Sequence, residues 1–196
     1  MATGTALVNG AQPRVQKVAE ALQSEGFDPV EVAVDNDELR EVVARLGNDS
    51  VACYVQLPGN IRARGRTVIE RVRNFLVDGL ISRFEAAELV TPALAPHAVA
   101  LLVSGNHPEE TDAPDNHPAR LSLLDTLAAC LMIERPGDGL RPVVLRSDRT
   151  DVEVTGFATD PGRERSTAFA ELADRSADLS FDEWRQELLD LVHTYS

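Results

Sequence analysis

The sequence contains a single lysine, Lys17, and its other cationic side chains, apart from histidine, are arginines. Without a second lysine, the chain can form neither the phosphate-binding loop of P-loop NTPases nor a Schiff base at another position. This preference for arginine indicates a high-GC, bacterial genome. Acidic residues dominate, with 32 Asp and Glu against 19 Lys and Arg, and the net charge is −13. So acidic a chain opposes general binding to nucleic acids or anionic membranes.

Cysteine and long apolar runs are also scarce. Cys53 and Cys130 each lie within a short apolar segment, VACYV and LAACLMI, which predicts two buried, reduced thiols and a cytoplasmic protein. No apolar run is long enough to cross a bilayer. The first residues, MATGTALVNG, lack the basic region and cleavage site of an export signal, so we expect none.

What the sequence does contain is a regular alternation of short apolar segments with helical patterns. Strands are predicted over 5–9, 28–35, 50–59, 98–105 and 140–147, and helices over 14–24, 36–47, 64–90 and 119–134. Continuous apolar strands between helices are typical of a parallel sheet covered on both faces. We therefore predict one Rossmann-like, three-layer α/β/α domain over 1–196. Its core covers about 5–160, and its C-terminal helices cover about 161–196.

The first strand, turn and helix have the order of a dinucleotide-binding βα unit. Residues 5–22 read TALVNGAQPRVQKVAEAL, with the turn at Asn9-Gly10. A dinucleotide site needs further glycines in this turn, because the pyrophosphate must approach the N-terminus of the helix. Arg14 and Gln16 stand at those places.

The order of these segments resembles the short-chain dehydrogenase/reductase family over most of residues 5–148. The family's first turn, T-G-x-x-x-G-x-G, corresponds here to NGAQPRVQ, in which only Gly10 is kept. The family's N-N-A-G after its fourth strand is similar to QLPG, which ends at Gly59. The resemblance thus marks Gly10 and Gly59 as remnants of a cofactor site.

The resemblance also implies which catalytic residues are kept. The family's active serine follows its fifth strand, where this chain has Ser104. The family's tyrosine lies 13 residues later, at His117, and its lysine four residues after that, at Leu121. The family's asparagine falls near Gly79. Ser104 and His117 are therefore vestigial candidates, and the tyrosine–lysine pair that supplies the proton and holds the nicotinamide ribose is lost.

One βα unit is also missing by this comparison. The family has a further strand and helix between its first helix and the strand that is similar to VEVAVD, and that unit supplies the adenosine ribose contact. Here QSEGFDP joins the first helix to this strand directly. We therefore expect no bound NAD or NADP and interpret the chain as a degenerate member, a non-catalytic subunit or scaffold. The alternative is a residual oxidoreductase or small-ligand sensor that uses Ser104 and His117 at the carboxyl edge of the sheet.

The resemblance implies a partner as well. In the family, the helices that correspond to 64–90 and 119–134 build a dimer through a four-helix bundle. The second of these is apolar almost all round, and the excess apolar surface is expected at Leu124, Leu127, Leu131 and Met132. This composition exceeds what one sheet face requires. We predict a homodimer, or a heteromer with a relative of the same family, and neither nucleic acid nor membrane as a partner.

Two polar clusters are open to a second interpretation. The loop NHPEETDAPDNHP carries possible metal ligands, namely His107, Glu109, Glu110, Asp112, Asp115 and His117. Because its histidines are ten residues apart, a solvated loop is favoured and no metal is predicted. The second cluster consists of arginines, namely Arg62, Arg64, Arg66, Arg71 and Arg73. It is either a local anion or partner site or a solvated helix face.

Overall fold

The computed structural model describes residues 4–59, 64–104 and 117–145. The strands in these ranges are β1 (Gly4–Asn9), β2 (Phe27–Val32), β3 (Val51–Gln56), β4 (Leu94–Val103) and β5 (Arg141–Leu145). The α-helices are α1 (Arg14–Ser24), α2 (Asn36–Leu46), α3 (Val68–Leu76), α4 (Ser82–Val90) and α5 (His117–Glu134). A π turn (Val77–Ile81) joins α3 to α4, and a 3₁₀ turn (Thr91–Ala93) follows α4. Each strand and helix predicted up to residue 147 is present, and the predictions for 151–196 lie outside the described residues.

The five strands form one parallel sheet in the order β2-β1-β3-β4-β5. The chain moves from β1 to β2 in one direction and then places β3 on the other side of β1, so its winding reverses between β1 and β3. In open α/β sheets, ligands bind outside the carboxyl ends of the strands at such a switch point. The predicted Rossmann-like fold class is confirmed, and this topology directs attention to the ends of β1 and β3.

Strand β2 is the edge of the sheet on the side where the missing βα unit is expected. It follows α1 directly and pairs with β1, and no described strand pairs with its other side. The Val32 carbonyl oxygen accepts a hydrogen bond from the Gly10 N–H, which lies beyond β1. Because the main-chain polar groups of successive residues point to opposite sides of a strand, the nitrogen of Pro29 points to the free edge of β2. Proline has no N–H to donate there, and the exposed Asp28 and Glu31 flank it. Such features protect an open edge from further strand pairing.

Each face of the sheet is covered by helices. Val15, Val18 and Leu22 of α1 pack on one face, in a cluster that includes Cys53 and Val55 of β3. On the other face, side chains of α2, α4 and α5 surround a cluster that includes the buried residues Leu7, Leu39, Tyr54, Val90 and Leu102. Helix α2 begins where the Asp35 carboxylate accepts the N–H groups of Asp37 and Glu38, which satisfies two donors of its first turn.

Helix α5 corrects the prediction about its apolar surface. Leu124, Leu127 and Leu131 are buried against the sheet, because they recur at three- and four-residue spacing and form one face of the helix. The outer face instead exposes other apolar side chains, namely Leu123, Met132 and Ile133. Of the four predicted surface residues, only Met132 is exposed. In the described ranges, no helix combines the length and hydropathy needed to cross a bilayer.

The prediction that both cysteines are buried is confirmed for Cys53 and wrong for Cys130. Cys53 lies in the interior of β3, whereas Cys130 is exposed on α5. Both segments are apolar, but α5 has more apolar residues than its sheet-facing side can bury, and Cys130 falls on the opposite side. Both thiols are free.

Candidate functional site

Four polar residues are buried in the described part of the chain, and all four lie toward the carboxyl edge of the sheet. They are Asn9, Gln56, Arg83 and Ser104. Asn9 ends β1 and is paired in register with Gln56, which ends β3, and Ser104 directly follows β4. Asn9, Gln56 and Ser104 each lie two residues after a member of the cluster on the α4 and α5 face. Because side chains alternate between the two faces along a strand, these three residues lie on that same face. The edge at which ligands of α/β sheets bind is therefore lined by buried polar groups.

The turn after β1 is closed by the residue that follows β3. The Leu57 N–H donates to the Asn9 carbonyl oxygen at 2.8 Å, and the Gly10 N–H donates to Val32 at 3.1 Å. A Cβ atom built on Gly10 would lie 2.5 Å from the Cβ of Leu57. Packing against Leu57 thus explains why residue 10 is glycine. The Gly10 N–H is already used, and β1 and β3 continue to pair past their ends at the switch point.

The start of α1 offers few groups to an anion. Its N-cap residue is Pro13, which lacks an N–H and gives no side-chain cap. The Val15 N–H donates to Ala11 at 3.3 Å. Gln16, which stands at a lost glycine position, is exposed and its amide donates to Glu20 at 2.9 Å along the same helix. Arg14, at the other lost position, is half-buried. Anion sites at helix N-termini depend on free N–H groups and close backbone approach, and here Pro13 has no N–H and the Val15 N–H is already bonded.

Because β2 pairs directly with β1, it takes the place of the strand that was expected to be missing, and Asp35 after it stands where a Rossmann fold carries an acidic residue for the adenosine ribose. Asp35 is not among the site residues predicted from the sequence. Its Oδ1 accepts the N–H of Asp37 at 2.8 Å and the N–H of Glu38 at 3.3 Å. The carboxylate therefore has a structural partner in the first turn of α2.

A buried hydrogen-bond network joins β3 to α4. The Arg83 guanidinium donates through Nε to Gln56 Oε1 at 2.9 Å and through Nη2 to the Gln56 main-chain oxygen at 3.1 Å. In return, Gln56 Nε2 donates to the Arg83 main-chain oxygen and to Tyr54 Oη, both at 3.0 Å. The side chains of all three residues are buried, so the network fixes α4 over the end of β3.

The sequence does not predict this network as a site, although it contains a signal for it. Arg83, Ala86, Ala87 and Val90 have the spacing of one helix face, and all four are buried. An arginine on an apolar face at this spacing indicates a buried guanidinium that needs partners. Its partners are on β3, 27 residues earlier, and no local pattern in the sequence identifies them.

Tyr54 is the tyrosine of the described part, and its surroundings do not suit a general acid. It is fully buried in β3, and burial raises the pKa of its phenol well above the ordinary value, while the hydrogen bond from Gln56 and the charge of Arg83 act in the opposite direction. The phenol therefore stays neutral near pH 7 and has no access to a substrate. A general acid must reach the reacting group as well as titrate in the working range.

Ser104 lies where the resemblance places the active serine. Its N–H donates to Leu145 at 2.8 Å, which ties it to the end of β5. Its side chain is only 2% exposed, and its Oγ has no hydrogen-bond partner among the described residues. A buried hydroxyl without a partner is uncommon and costly, so Ser104 is the polar group at this edge that is available to a further contact.

The remaining predicted positions are placed only in part. His117 is the first residue of α5, and Leu121 lies one helical turn later, but the side chains of 117–121 lie outside the described part. Gly79 falls within the π turn, a form of helix that often marks functional positions. Gly59 follows β3 by three residues. How Ser104 and His117 sit relative to each other stays a prediction.

The two polar clusters have different outcomes. The loop with the possible metal ligands lies outside the described residues, apart from the backbone of His117. In the ranges that are described, no group of His, Cys, Asp and Glu is arranged to hold a metal. Arg64 and Arg66 are exposed just before α3, Arg73 is exposed in its last turn, Arg71 is half-buried, and Arg62 lies outside the described residues. At the start of α3, Glu70 accepts the N–H groups of Arg66 and Thr67, and these bonds lower the pKa of the Glu70 carboxyl.

The fold has clear counterparts among solved structures. No family model matches the chain, and no curated protein matches it in sequence. A short-chain dehydrogenase/reductase from Serratia marcescens is 13% identical with a TM-score of 0.60, and the match covers 80% of this chain and 89% of that one. The Listeria innocua protein lin1944 is 15% identical with a TM-score of 0.57, over 74% of this chain and 77% of that one. A small-chain dehydrogenase solved in complex with NADPH is 14% identical with a TM-score of 0.50, over 67% and 65%.

These similarities confirm the predicted resemblance at the level of the fold. The chain folds as short-chain dehydrogenase/reductases do, with a parallel sheet and flanking helices. Fold alone does not carry an activity, since one fold supports many functions.

Proposed function

We propose that this protein is a non-catalytic subunit or scaffold with the short-chain dehydrogenase/reductase fold, acting in the cytoplasm through a dimer built on its helices. The observation that carries the proposal is the contact of Gly10 with Leu57, which accounts for the remaining glycine of the cofactor turn without a ligand. The partner is a second copy or a relative of the same fold.

The polar groups of the cofactor side support this proposal. Three groups that could contact a dinucleotide have hydrogen-bond partners within the chain. They are the Gly10 N–H, the Asn9 carbonyl and the Asp35 carboxylate. Leu121 stands where the ribose-binding lysine would be, and leucine carries neither charge nor a hydrogen-bond donor. Hydride transfer needs a cofactor held against the substrate, and a leucine at position 121 cannot contribute to holding it.

The exposed apolar residues support the dimer. Ile69, Val77 and Ile81 are exposed on the α3–α4 segment, and Met132 and Ile133 on α5. These helices correspond to the ones that form the family's four-helix bundle. Apolar side chains concentrated on two helices favour a protein contact over a solvated surface.

A second function has one observation in its favour. The Ser104 hydroxyl is buried and has no partner among the described residues, so a small ligand at the β4 edge could accept its hydrogen bond. In this alternative, Ser104 and His117 belong to a ligand sensor or a residual oxidoreductase.

Nucleotide binding separates the two proposals. We expect the melting temperature to be unchanged within about 1 °C by 1 mM NADH or NADPH. A ligand at 100 times its dissociation constant would add about 2.7 kcal/mol, which is a rise of roughly 5–10 °C for a domain of this size. A saturable rise of that order would refute the non-catalytic proposal.

Restoring the catalytic pair provides a further test. The His117→Tyr/Leu121→Lys variant should still not oxidise NADPH with a panel of ketones, because the nucleotide side of the sheet is unchanged. Activity in this variant would show that a cofactor site exists. Activity in the unmodified protein that is lost on His117→Ala would refute the proposal completely.

The dimer can be tested with the natural thiols. Cys130 is exposed and Cys53 is buried, so a bismaleimide reacts at one position per folded chain. We expect cross-linked dimer at micromolar protein and none with Cys130→Ser, while Cys53→Ala should still cross-link. A protein that sediments as a monomer in this range would exclude the homodimer and leave only the heteromer.

A further inference from the structure

The residues just before α3 fold back onto this helix. The side-chain amide of Asn74 donates to the Arg64 carbonyl oxygen at 2.8 Å. A Cβ atom built on Gly65 would lie 2.7 Å from the Cβ of Glu70 and 2.9 Å from the main-chain nitrogen of Arg71, so glycine is what allows this close approach. The backbone before α3 is therefore held in one place against the helix.

Glu70 fixes the other end of the same segment. Its Oε2 accepts the N–H of Arg66 at 2.8 Å and the N–H of Thr67 at 3.3 Å. In return, Thr67 Oγ1 accepts the N–H of Glu70 at 3.1 Å. This reciprocal cap satisfies donors at the start of the helix, so the Oε2 atom of this carboxylate is occupied by main-chain groups.

Three exposed arginines belong to this folded segment, namely Arg64, Arg66 and Arg73. Arg73 Nη2 donates to Asn74 Oδ1 at 3.2 Å, so one amide contacts both the Arg73 guanidinium and the Arg64 main chain. Among the described residues, the side chains of Arg64 and Arg66 form no hydrogen bond or ion pair, and the Arg73 side chain bonds only to that neutral amide. In this part of the chain, the three guanidinium groups therefore lack a bonded carboxylate.

An exposed apolar side chain adjoins these arginines. Ile69 is 81% exposed and lies four residues before Arg73, a spacing that places both on one side of the helix. We call Arg64, Arg66, Ile69 and Arg73 the arginine surface. On a chain with a net charge of −13, it is a local patch of the opposite sign, and a mixture of arginine with apolar residues is typical of protein interfaces.

An acidic segment of another protein fits the arginine surface better than other anions do. Arginine forms two parallel hydrogen bonds with a carboxylate, and arginine clusters recognise acidic motifs. A small ligand is usually enclosed in a concave pocket, whereas these side chains are exposed. A nucleic acid or an anionic membrane would extend past the patch and be repelled by the acidic chain. A short acidic segment contacts the patch alone, and an apolar residue within it has Ile69 to contact.

We propose that the arginine surface docks a short acidic segment of a partner protein, whose carboxylates bind Arg64, Arg66 and Arg73 and whose apolar side chain packs on Ile69. This inference goes beyond the proposed dimer, because none of its contacts involves a second copy of this chain. The bonds that fold the segment onto α3 fix the arginine main chains before the partner binds, so less conformational entropy is lost on binding.

The proposal is tested with a fluorescent peptide of about ten residues, all glutamate except one central leucine. By anisotropy at low salt, we expect saturable binding with a Kd of about 100 µM or lower. Arg73→Glu should weaken binding about 10-fold. Arg45→Glu is the matched control, because Arg45 is also an exposed arginine in the last turn of its helix, and it should change the Kd by less than about threefold. Absence of saturable binding to the natural protein, or equal weakening by both variants, would overturn the proposal.

Two further measurements separate a built surface from a simple excess of charge. Gly65→Ala keeps every charge, but its new Cβ overlaps Glu70, so binding should weaken at least about threefold. An unchanged Kd, in a variant shown to be folded by circular dichroism, would mean that no preorganised surface exists. A peptide with glutamine in place of glutamate should not bind. If a single-stranded oligonucleotide binds more tightly than the acidic peptide, the partner is a nucleic acid and the proposal is wrong.

Sedimentation of the natural protein separates this proposal from the proposed dimer. A monomer that binds the acidic peptide, and loses it on Arg73→Glu, would refute the homodimer and support docking at the arginine surface. A dimer that does not bind the peptide would overturn the docking proposal and leave the dimer standing.

Discussion

The carboxyl edge of the sheet has two halves that differ in how their polar groups are satisfied. At the ends of β1 and β3, the Asn9 amide donates to Ala33 at 2.7 Å, the Gly10 N–H donates to Val32, and the Leu57 N–H closes the gap between the strands. At the end of β4, the Ser104 hydroxyl is equally buried but has no partner among the described residues. Within the described residues, the polar groups of the first half have partners, whereas the Ser104 hydroxyl of the second half has none.

This difference bears on what a residue of a motif reveals about a ligand. Gly10 is required by its neighbour Leu57, so its presence carries no information about a nucleotide. Ser104 has no such neighbour in the described part, and no hydrogen bond of its side chain explains why it is serine. The residue that the packing does not explain is the better guide to remaining function.

The largest effect is expected at the buried network that joins β3 to α4. Arg83→Met should lower the free energy of unfolding by about 3 kcal/mol, because it leaves the Gln56 side-chain and main-chain oxygens buried without their donor. Urea denaturation would measure this loss. Arg45→Met, at an exposed position, is the control and should stay within about 0.5 kcal/mol. A loss below about 1 kcal/mol for Arg83→Met would show that the network does not stabilise this edge.

The contact between Gly10 and Leu57 at the ends of β1 and β3 can be disrupted by a substitution in the turn. Gly10→Ala should destabilise the protein by about 2 kcal/mol, since the new Cβ overlaps Leu57 in a packed site. If the Leu57 Cβ is the cause, Leu57→Gly should cost at least about 1 kcal/mol less in the Gly10→Ala background than in the natural protein. Additive costs in this double-mutant cycle would mean that another contact requires glycine at position 10.

The strands and helices were predictable because each carries a local signal. Helix α1 was predicted at the residues it occupies, 14–24, since its apolar residues follow helical spacing after a turn. The start of β4 was missed, because residues 94–97 include Pro96 and His97, which do not continue the apolar run of 98–103. Such a segment joins the strand through neighbours that the local sequence does not show.

The candidate site was predictable only at single positions. Ser104 was assigned by the resemblance, and its role stays a prediction, but the closure of Gly10 by Leu57 links residues 47 apart in the chain. The network of Tyr54, Gln56 and Arg83 depends on the crossing of α4 over β3. These contacts are set by the pairing of distant strands and by helix packing, so no pattern within one segment contains them.

We expect that water does not reach the interior of the sheet at β3, and the pKa of the Cys53 thiol tests this. Burial raises the pKa of the Cys53 thiol from 9.0 to about 12, so the folded protein keeps a proton that the unfolded chain releases. Stability from this group is complete below pH 9 and is lost as the pH rises toward 12. Between pH 7 and pH 10, the natural protein should lose about 1.4 kcal/mol more than Cys53→Ala. Equal losses in urea denaturation at the two pH values would mean that water reaches this strand.

The smallest effects compare the two halves directly, with one alanine substitution in each. Asn9→Ala should cost about 1–2 kcal/mol, because it removes the donor to the Ala33 carbonyl at a buried position. Ser104→Ala should change the free energy of unfolding by no more than about 0.5 kcal/mol, since the Oγ has no partner to lose in the described part and a buried unpaired hydroxyl is itself unfavourable. Both values come from the same urea titration. A cost above about 1 kcal/mol for Ser104→Ala would show that the hydroxyl is bonded within the chain, and the β4 edge would then be as complete as the β1–β3 edge and would offer no group to a ligand.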